Sequence, residues 1–350
     1  MTSPLTRPSQ SVPVVGGGPL LNVHSLHVTF PAGGGAIARA VDGISFTIAP
    51  GETVCLVGES GCGKSVTALS LLRLVPSPGR IEPGSAIRFD GLDLLTLPDE
   101  KLRAIRGNRM AIIFQEPMTA LNPVLTVGDQ IAEVVRVHTK ASRKEAGERA
   151  VAMLAQVGIA DPATRARQYP HELSGGMRQR VMIAMALVLE PQLVIADEPT
   201  TALDVTIQAQ ILELLRELRA RTGMALLLIT HDLGVVAEMA SRVIVMYAGQ
   251  VVEEAPVQSL FANASHPYTE GLLAAIPRLG ADQSRLTTIP GTVPAPTDWP
   301  TGCRFRDRCA YAYERCATEE PALLQIGSAH RARCHLVQEP ERRVRREVQE

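Results

Sequence analysis

The segment GESGCGKS, residues 58–65, follows the apolar run TVCLV (53–57) and precedes VTALSLLRLV (66–75). A strand, a glycine loop and a helix in that order frame a phosphate-binding P-loop. Gly58, Gly63, Lys64 and Ser65 stand in its G-x-x-x-x-G-K-S spacing. Glycines let the backbone wrap a phosphate, with Ser60 and Gly61 completing the wrap. The loop N–H groups and the positive end of the helix point at the β-phosphate. Lys64 reaches the β/γ oxygens, and the Ser65 hydroxyl completes a Mg²⁺ shell.

The same strand pattern recurs downstream. QLVIAD (192–197) and MALLLIT (224–230) are short continuous apolar runs, each followed by a helix-forming stretch. That is the pattern of an α/β fold with a parallel core sheet. Near the start, LNVHSLHVTF (21–30) and AVDGISFTI (40–48) alternate apolar and polar residues across PAGGGA (31–36), as half-buried antiparallel strands do. Residues 125–160 read as mostly helical, with Ser142 and Glu145 in capping-box spacing and a stop at Gly158.

Composition narrows the class. At 45% hydrophobic and 20% charged, with net charge −1, the chain reads as an ordinary globular protein with no polyanionic partner, so nucleic acid is not expected. Residues 1–20, broken by Pro and Gly, read as a flexible leader and not as a signal peptide. The longest apolar runs fall far short of the roughly 20 residues of a membrane span. The chain is therefore expected on the cytoplasmic side, where disulfides are disfavoured.

A P-loop serves many enzymes, and a second acidic site selects among them. In LVIADEP (193–199), Asp197 ends a strand where it can hold Mg²⁺ through water, and Glu198 beside it is a candidate base for attacking water. Between the two sites lies LSGGMRQR (173–180). Ser174, Gly175 and Gly176 at a helix start form a second set of anion-binding donors, redundant unless they serve a neighbour's nucleotide.

With LSGGMRQR the chain resembles the nucleotide-binding subunit of an ATP-binding cassette (ABC) transporter. The resemblance implies an ABC-type P-loop ATPase with a mixed core sheet, an antiparallel β subdomain, a helical signature subdomain (about 116–180) and a small cysteine-containing C-terminal extension. It implies ATP and Mg²⁺, and two cassettes stacked head to tail. Gln115 in FQEP then resembles the Q-loop glutamine that touches Mg²⁺ or water. Asp204 in TALDV resembles the D-loop residue that reaches across the dimer, and His231 in LLLITHD the switch histidine at the γ-phosphate. Phe30 lies where the family keeps an adenine-stacking aromatic, and a core phenylalanine is the competing assignment. Met177 stands where many members carry glutamine.

Composition shifts after about Ala255, so 21–255 is expected to be the ATPase domain, 256–336 an extension without an independent core and 337–350 a charged tail. HPYTEGLLAAIP (266–277), IPGTVPAP (289–296) and the cysteines resemble the C-terminal extension of ATPases from bacterial dipeptide and oligopeptide importers. Members of that group also import nickel, glutathione and other small solutes. The resemblance implies a peripheral protein on the cytoplasmic face of the membrane. Its partners would be two transmembrane permease subunits, a second and different ATPase chain, and, indirectly, an extracytoplasmic peptide-binding protein. Cys303, Cys309, Cys316 and Cys334 lack the C-x₂-C pairing of zinc ribbons. Four thiolates can hold a [4Fe–4S] cluster, which related importer ATPases carry; four free thiols are the alternative.

Overall fold

The computed structural model describes residues 18–201, 203–276 and 288–343. Most of the expected leader and the last seven residues of the charged tail lie outside that set.

Five short strands form the parallel core of the main sheet, in the spatial order Arg242–Tyr247, Thr53–Val57, Ala225–Thr230, Leu193–Asp197 and Met110–Ile113. Every residue of Thr53–Val57, Leu193–Asp197 and Ala225–Thr230 is buried, which explains why these strands are continuous apolar runs: helices or the second sheet cover both faces. The chemistry-bearing residues follow directly from this topology. Gly58 comes after Val57, Glu198 after Asp197, His231 after Thr230, and Gln115 two residues after Ile113. All lie at carboxyl ends of parallel strands, where open α/β sheets hold their ligands.

The N-terminal segments build a separate five-stranded antiparallel sheet. Its long pair, Leu21–Pro31 and Ile37–Ile48, runs antiparallel from Leu21 opposite Ile48 to Pro31 opposite Ile37, with register shifts between Val23 and Leu26, between Leu26 and His27 and between Val28 and Thr29. Its inner face buries Leu21, Leu26, Ile44 and Ile48 against Leu56, Ala68 and Leu71. On the other side of the core sheet sits a helical layer of Val127–His138, Arg143–Gln156 and Gly175–Leu187. Ser142 and Glu145 make the reciprocal capping box that opens Arg143–Gln156. Ile131, Val135, Ala150, Leu154, Val181 and Ile183 bury the contact among these helices.

The C-terminal segment continues the main sheet. Gln250–Pro256 pairs antiparallel with Arg242–Tyr247, and His330–Ala332 and Leu324–Gly327 add two further strands at that edge. Two adjacent glutamates on Gln250–Pro256 anchor it. Glu253, 0% exposed, accepts from the Ser265 N–H (2.7 Å), the His266 N–H (3.0 Å) and His330 Nε2 (2.8 Å). Glu254 pairs with Arg242 and Arg331. Phe305 closes an aromatic cluster with Tyr247 and Tyr268, centroids 5.2 and 5.4 Å away. Leu260, Tyr268 and Phe305 of the segment are thus part of the core cluster of the main body.

Candidate functional site

The glycine loop is shaped by close backbone approach. At Gly58 (φ 152°) a Cβ would lie 2.3 Å from the Met246 carbonyl oxygen, and at Gly63 (φ 104°) it would lie 2.4 Å from that of Ala40. Neither position has room for a side chain. Gly61 has φ 81° and open space around it, and Ser60 is exposed beside it. Gly63 caps the helix Lys64–Leu71. Lys64 is buried, and its Nζ donates to the carbonyls of Gly58 (2.7 Å) and Glu59 (3.0 Å), lying back along the loop.

The acidic pair stands next to this loop. The Ser65 hydroxyl donates to Asp197 Oδ1 at 3.2 Å, which places two oxygen donors for a hard cation side by side. Burial, reinforced by the charge of Glu198, raises the Asp197 carboxyl above its ordinary range, while the Ser65 hydrogen bond and Lys64 oppose that shift. A divalent cation would remove the cost of the buried charge.

Glu198 is the hub of the second cluster. It takes the left-handed conformation (φ 45°), and its N–H donates to the Ile229 carbonyl at 2.9 Å, which fixes its backbone at the carboxyl end of the internal strand Leu193–Asp197. Gln115 Nε2 donates to it at 3.1 Å and the Thr201 hydroxyl at 2.8 Å, while His231 Nδ1 lies 3.4 Å away. The structure therefore brings Lys64, Ser65, Asp197, Glu198, Gln115 and His231 into one neighbourhood.

The remaining sequence candidates stand apart. Ser174 caps the helix Gly175–Leu187 and accepts from the Met177 N–H at 3.3 Å. Among the described residues, neither Ser174, Gly175 nor Gly176 bonds to this chain's own P-loop. A Cβ on Gly176 would meet Ile207 at 2.9 Å, whereas Gly175 has nothing within 4 Å. Gly176 thus serves packing, and Gly175 faces open space. Asp204 caps the helix Val205–Thr222 through the Ile207 N–H at 2.9 Å. Phe30 is half-buried, with its ring against Gly79 and the antiparallel-sheet core.

Comparison with known proteins assigns the lineage. Residues 41–201 match the ABC transporter family, and residues 252–316 match the C-terminal region of oligopeptide/dipeptide transporters. A protein of Sinorhizobium fredii named as a peptide ABC transporter ATP-binding protein is 54% identical over 316 residues, covering 90% of this chain and 94% of its own. The chain belongs to the ABC transporter family. A Brucella melitensis protein named as a peptide import ATP-binding protein is 52% identical over 327 residues, covering 90% of this chain and 96% of its own. A dimeric ATP-binding cassette in a post-hydrolysis state, bound to ADP and phosphate, superposes with a TM-score of 0.60 at 28% identity. It covers 68% of this chain and 98% of that one.

As an ABC ATPase, the chain works with ATP and Mg²⁺. No helix among the described residues is long and apolar enough to cross a membrane. Sequence reasoning had missed three residues at the ABC site. Thr201, three positions after Glu198, holds the hub carboxylate. Tyr268 and Arg308, from the C-terminal extension, touch Glu59 inside the P-loop. The last two lie 209 and 249 residues from Glu59, and no local pattern pairs residues at that separation.

The four cysteines of the ABC subunit's extension meet. Cys303, Cys309, Cys316 and Cys334 line one small cavity together with His266, Phe305 and His335. Burial pushes the Cys303 thiol up to about 11 and the Cys309 and Cys334 thiols up to about 12. Among the described residues, no three His, Cys, Asp or Glu side chains are grouped tightly enough to hold a single metal ion.

Proposed function

We propose that this chain is the ATP-hydrolysing subunit that powers import of dipeptides or oligopeptides across the cytoplasmic membrane. The observation that carries the hydrolytic part is the convergence of Ser65–Asp197 and Gln115–Glu198–His231 at the carboxyl ends of adjacent parallel strands. Ser65 and Asp197 would hold Mg²⁺, which would supply charge neutralisation for the phosphates. Lys64 exchanges its loop carbonyls for β/γ-phosphate oxygens. Glu198 takes the proton of the attacking water, Gln115 orients that water, and His231 contacts the γ-phosphoryl group. The peptide part is supported by the importer-type C-terminal region and by the printed names of the relatives.

The turn at Ser174 and Gly175, remote in bonding from its own loop, offers its amides to ATP held by a second ATPase chain of different sequence. Asp204 sits at that same dimer face, and Phe30 is the adenine-side residue. Two membrane permeases complete the complex on the cytoplasmic face, and an extracytoplasmic binding protein delivers peptide. A groove of about 180 Å³, lined by Leu72, Met110, Leu121, Met182 and by Phe114 just before Gln115 in the chain, has the apolar character to seat a permease segment.

In the extension, four sulfur donors line one cavity, and four thiolates are the donor set of a [4Fe–4S] cluster. Cys303, Cys309, Cys316 and Cys334 would hold it, and it would supply a structural or redox-sensing centre. Anaerobic purification with iron and sulfide assay checks this; colourless, iron-free, folded protein ends the cluster assignment. Co-purification with membrane subunits, followed by peptide-stimulated ATPase and uptake, tests the function. An ATPase that pairs with no permease would refute it.

A further inference from the structure

One residue inside the P-loop is gripped from outside the cassette core. The Glu59 N–H donates to the Tyr268 hydroxyl at 2.8 Å. Arg308 clasps the Glu59 carboxylate with two bonds, Nη1 to Oε2 at 2.6 Å and Nη2 to Oε1 at 2.9 Å. The Glu59 carbonyl accepts from Lys64 at 3.0 Å. The extension thus holds this residue by its amide and its carboxylate, and the phosphate-binding lysine holds it by its carbonyl.

Both outside groups are buried, Tyr268 at 0% exposed and Arg308 at 7%, and the two parallel bonds to a half-buried Glu59 side chain fix the geometry of the ion pair. Arg308 is itself fixed, with its Nε donating to the Pro290 carbonyl at 2.8 Å and its guanidinium packed near Tyr247 and Phe305. Tyr268 packs on both of those rings.

We propose that Tyr268 and Arg308 are positioning residues for nucleotide binding: acting through Glu59, the C-terminal extension sets the P-loop's shape and so its affinity for MgATP. The proposal rests on the nucleotide site described above. A P-loop binds phosphate through amides that must converge before the ligand arrives, and each amide left to reorganise weakens binding. In the present loop Lys64 already donates to two loop carbonyls. Held from outside at Glu59, the loop keeps its curvature when Lys64 leaves those carbonyls for phosphate oxygens. Without the outside hold, loop order must be regained at each binding event.

The test uses the full chain and its assembled complex. MgATP affinity and steady-state ATPase are measured for Tyr268→Phe, Glu59→Gln, Arg308→Met and the double variant Glu59→Gln/Arg308→Met, with Arg308→Lys as the conservative partner and a thermal melt of each. Loss of one hold is expected to raise Kd and KM roughly fivefold to tenfold while kcat stays within about twofold. The double variant should be no weaker than the weaker single, because both changes break one contact. Arg308→Lys should recover part of the loss. Wild-type affinity in Tyr268→Phe and Glu59→Gln, with only the melting temperature lowered, would overturn the proposal and leave an interface contact. Where Arg308→Met fails to fold, those two milder variants decide the matter. A wild-type chain that binds no MgATP refutes the nucleotide assignment and this proposal together, whereas wild-type binding with unaffected variants removes the positioning role alone.

Discussion

Replacing the Glu198 carboxylate by an amide, Glu198→Gln, separates chemistry from binding at this site. The side chain keeps its size, and an amide oxygen can still accept from Gln115 Nε2 and the Thr201 hydroxyl, now at 3.1 and 2.8 Å, so the fold should be indifferent. What disappears is the proposed proton acceptor and one negative charge beside the proposed γ-phosphate position. Loss of a positioned base costs roughly 10²–10⁴ in rate, about 3–5 kcal/mol of barrier. Removing the charge also removes its repulsion of a bound triphosphate. ATP affinity should therefore hold or improve while turnover collapses. Phosphate release from the assembled complex gives the rate, and nucleotide retained after gel filtration gives the affinity. Turnover within about tenfold of wild type would show that another group takes the proton.

Further expectations follow from single contacts. Glu253→Gln should destabilise the chain by about 2–4 kcal/mol in denaturant titration, because one amide cannot accept from all three buried donors that Glu253 serves. Gly175→Ala should leave the melting temperature unchanged or slightly raised, since nothing lies within 4 Å and alanine favours a helix, yet ATPase of the assembled complex should fall. Gly176→Ala should instead lower stability by about 1–2 kcal/mol, through the Ile207 contact. Gly58→Ala should abolish MgATP binding, as its Cβ would strike the Met246 carbonyl.

The parts legible in the sequence are those written locally. TVCLV, QLVIAD and MALLLIT are buried on both faces, so continuous apolar runs announce parallel strands, and the residues after them arrive at the site automatically. Ser142 and Glu145 announce a helix start because a capping box spans only four residues. Long-range partners leave no such trace. Nothing near Glu59 reveals that Arg308 will clasp it, and nothing near Glu253 reveals a buried carboxylate serving Ser265 and His330. The cysteine spacing supplied donor types but not their convergence, which depends on where the loops after Pro290 run across the sheet. Phe30 shows the opposite limit: its position in the strand was readable, but its packing against Gly79 was not.

The most direct measurement is the structure of the Glu198→Gln complex with MgATP and its partner ATPase and permeases. The mechanism predicts the Ser174–Gly175 turn at hydrogen-bond distance from the γ-phosphate of ATP held by the partner's P-loop. That turn facing solvent, with ATP enclosed by one chain alone, would contradict it.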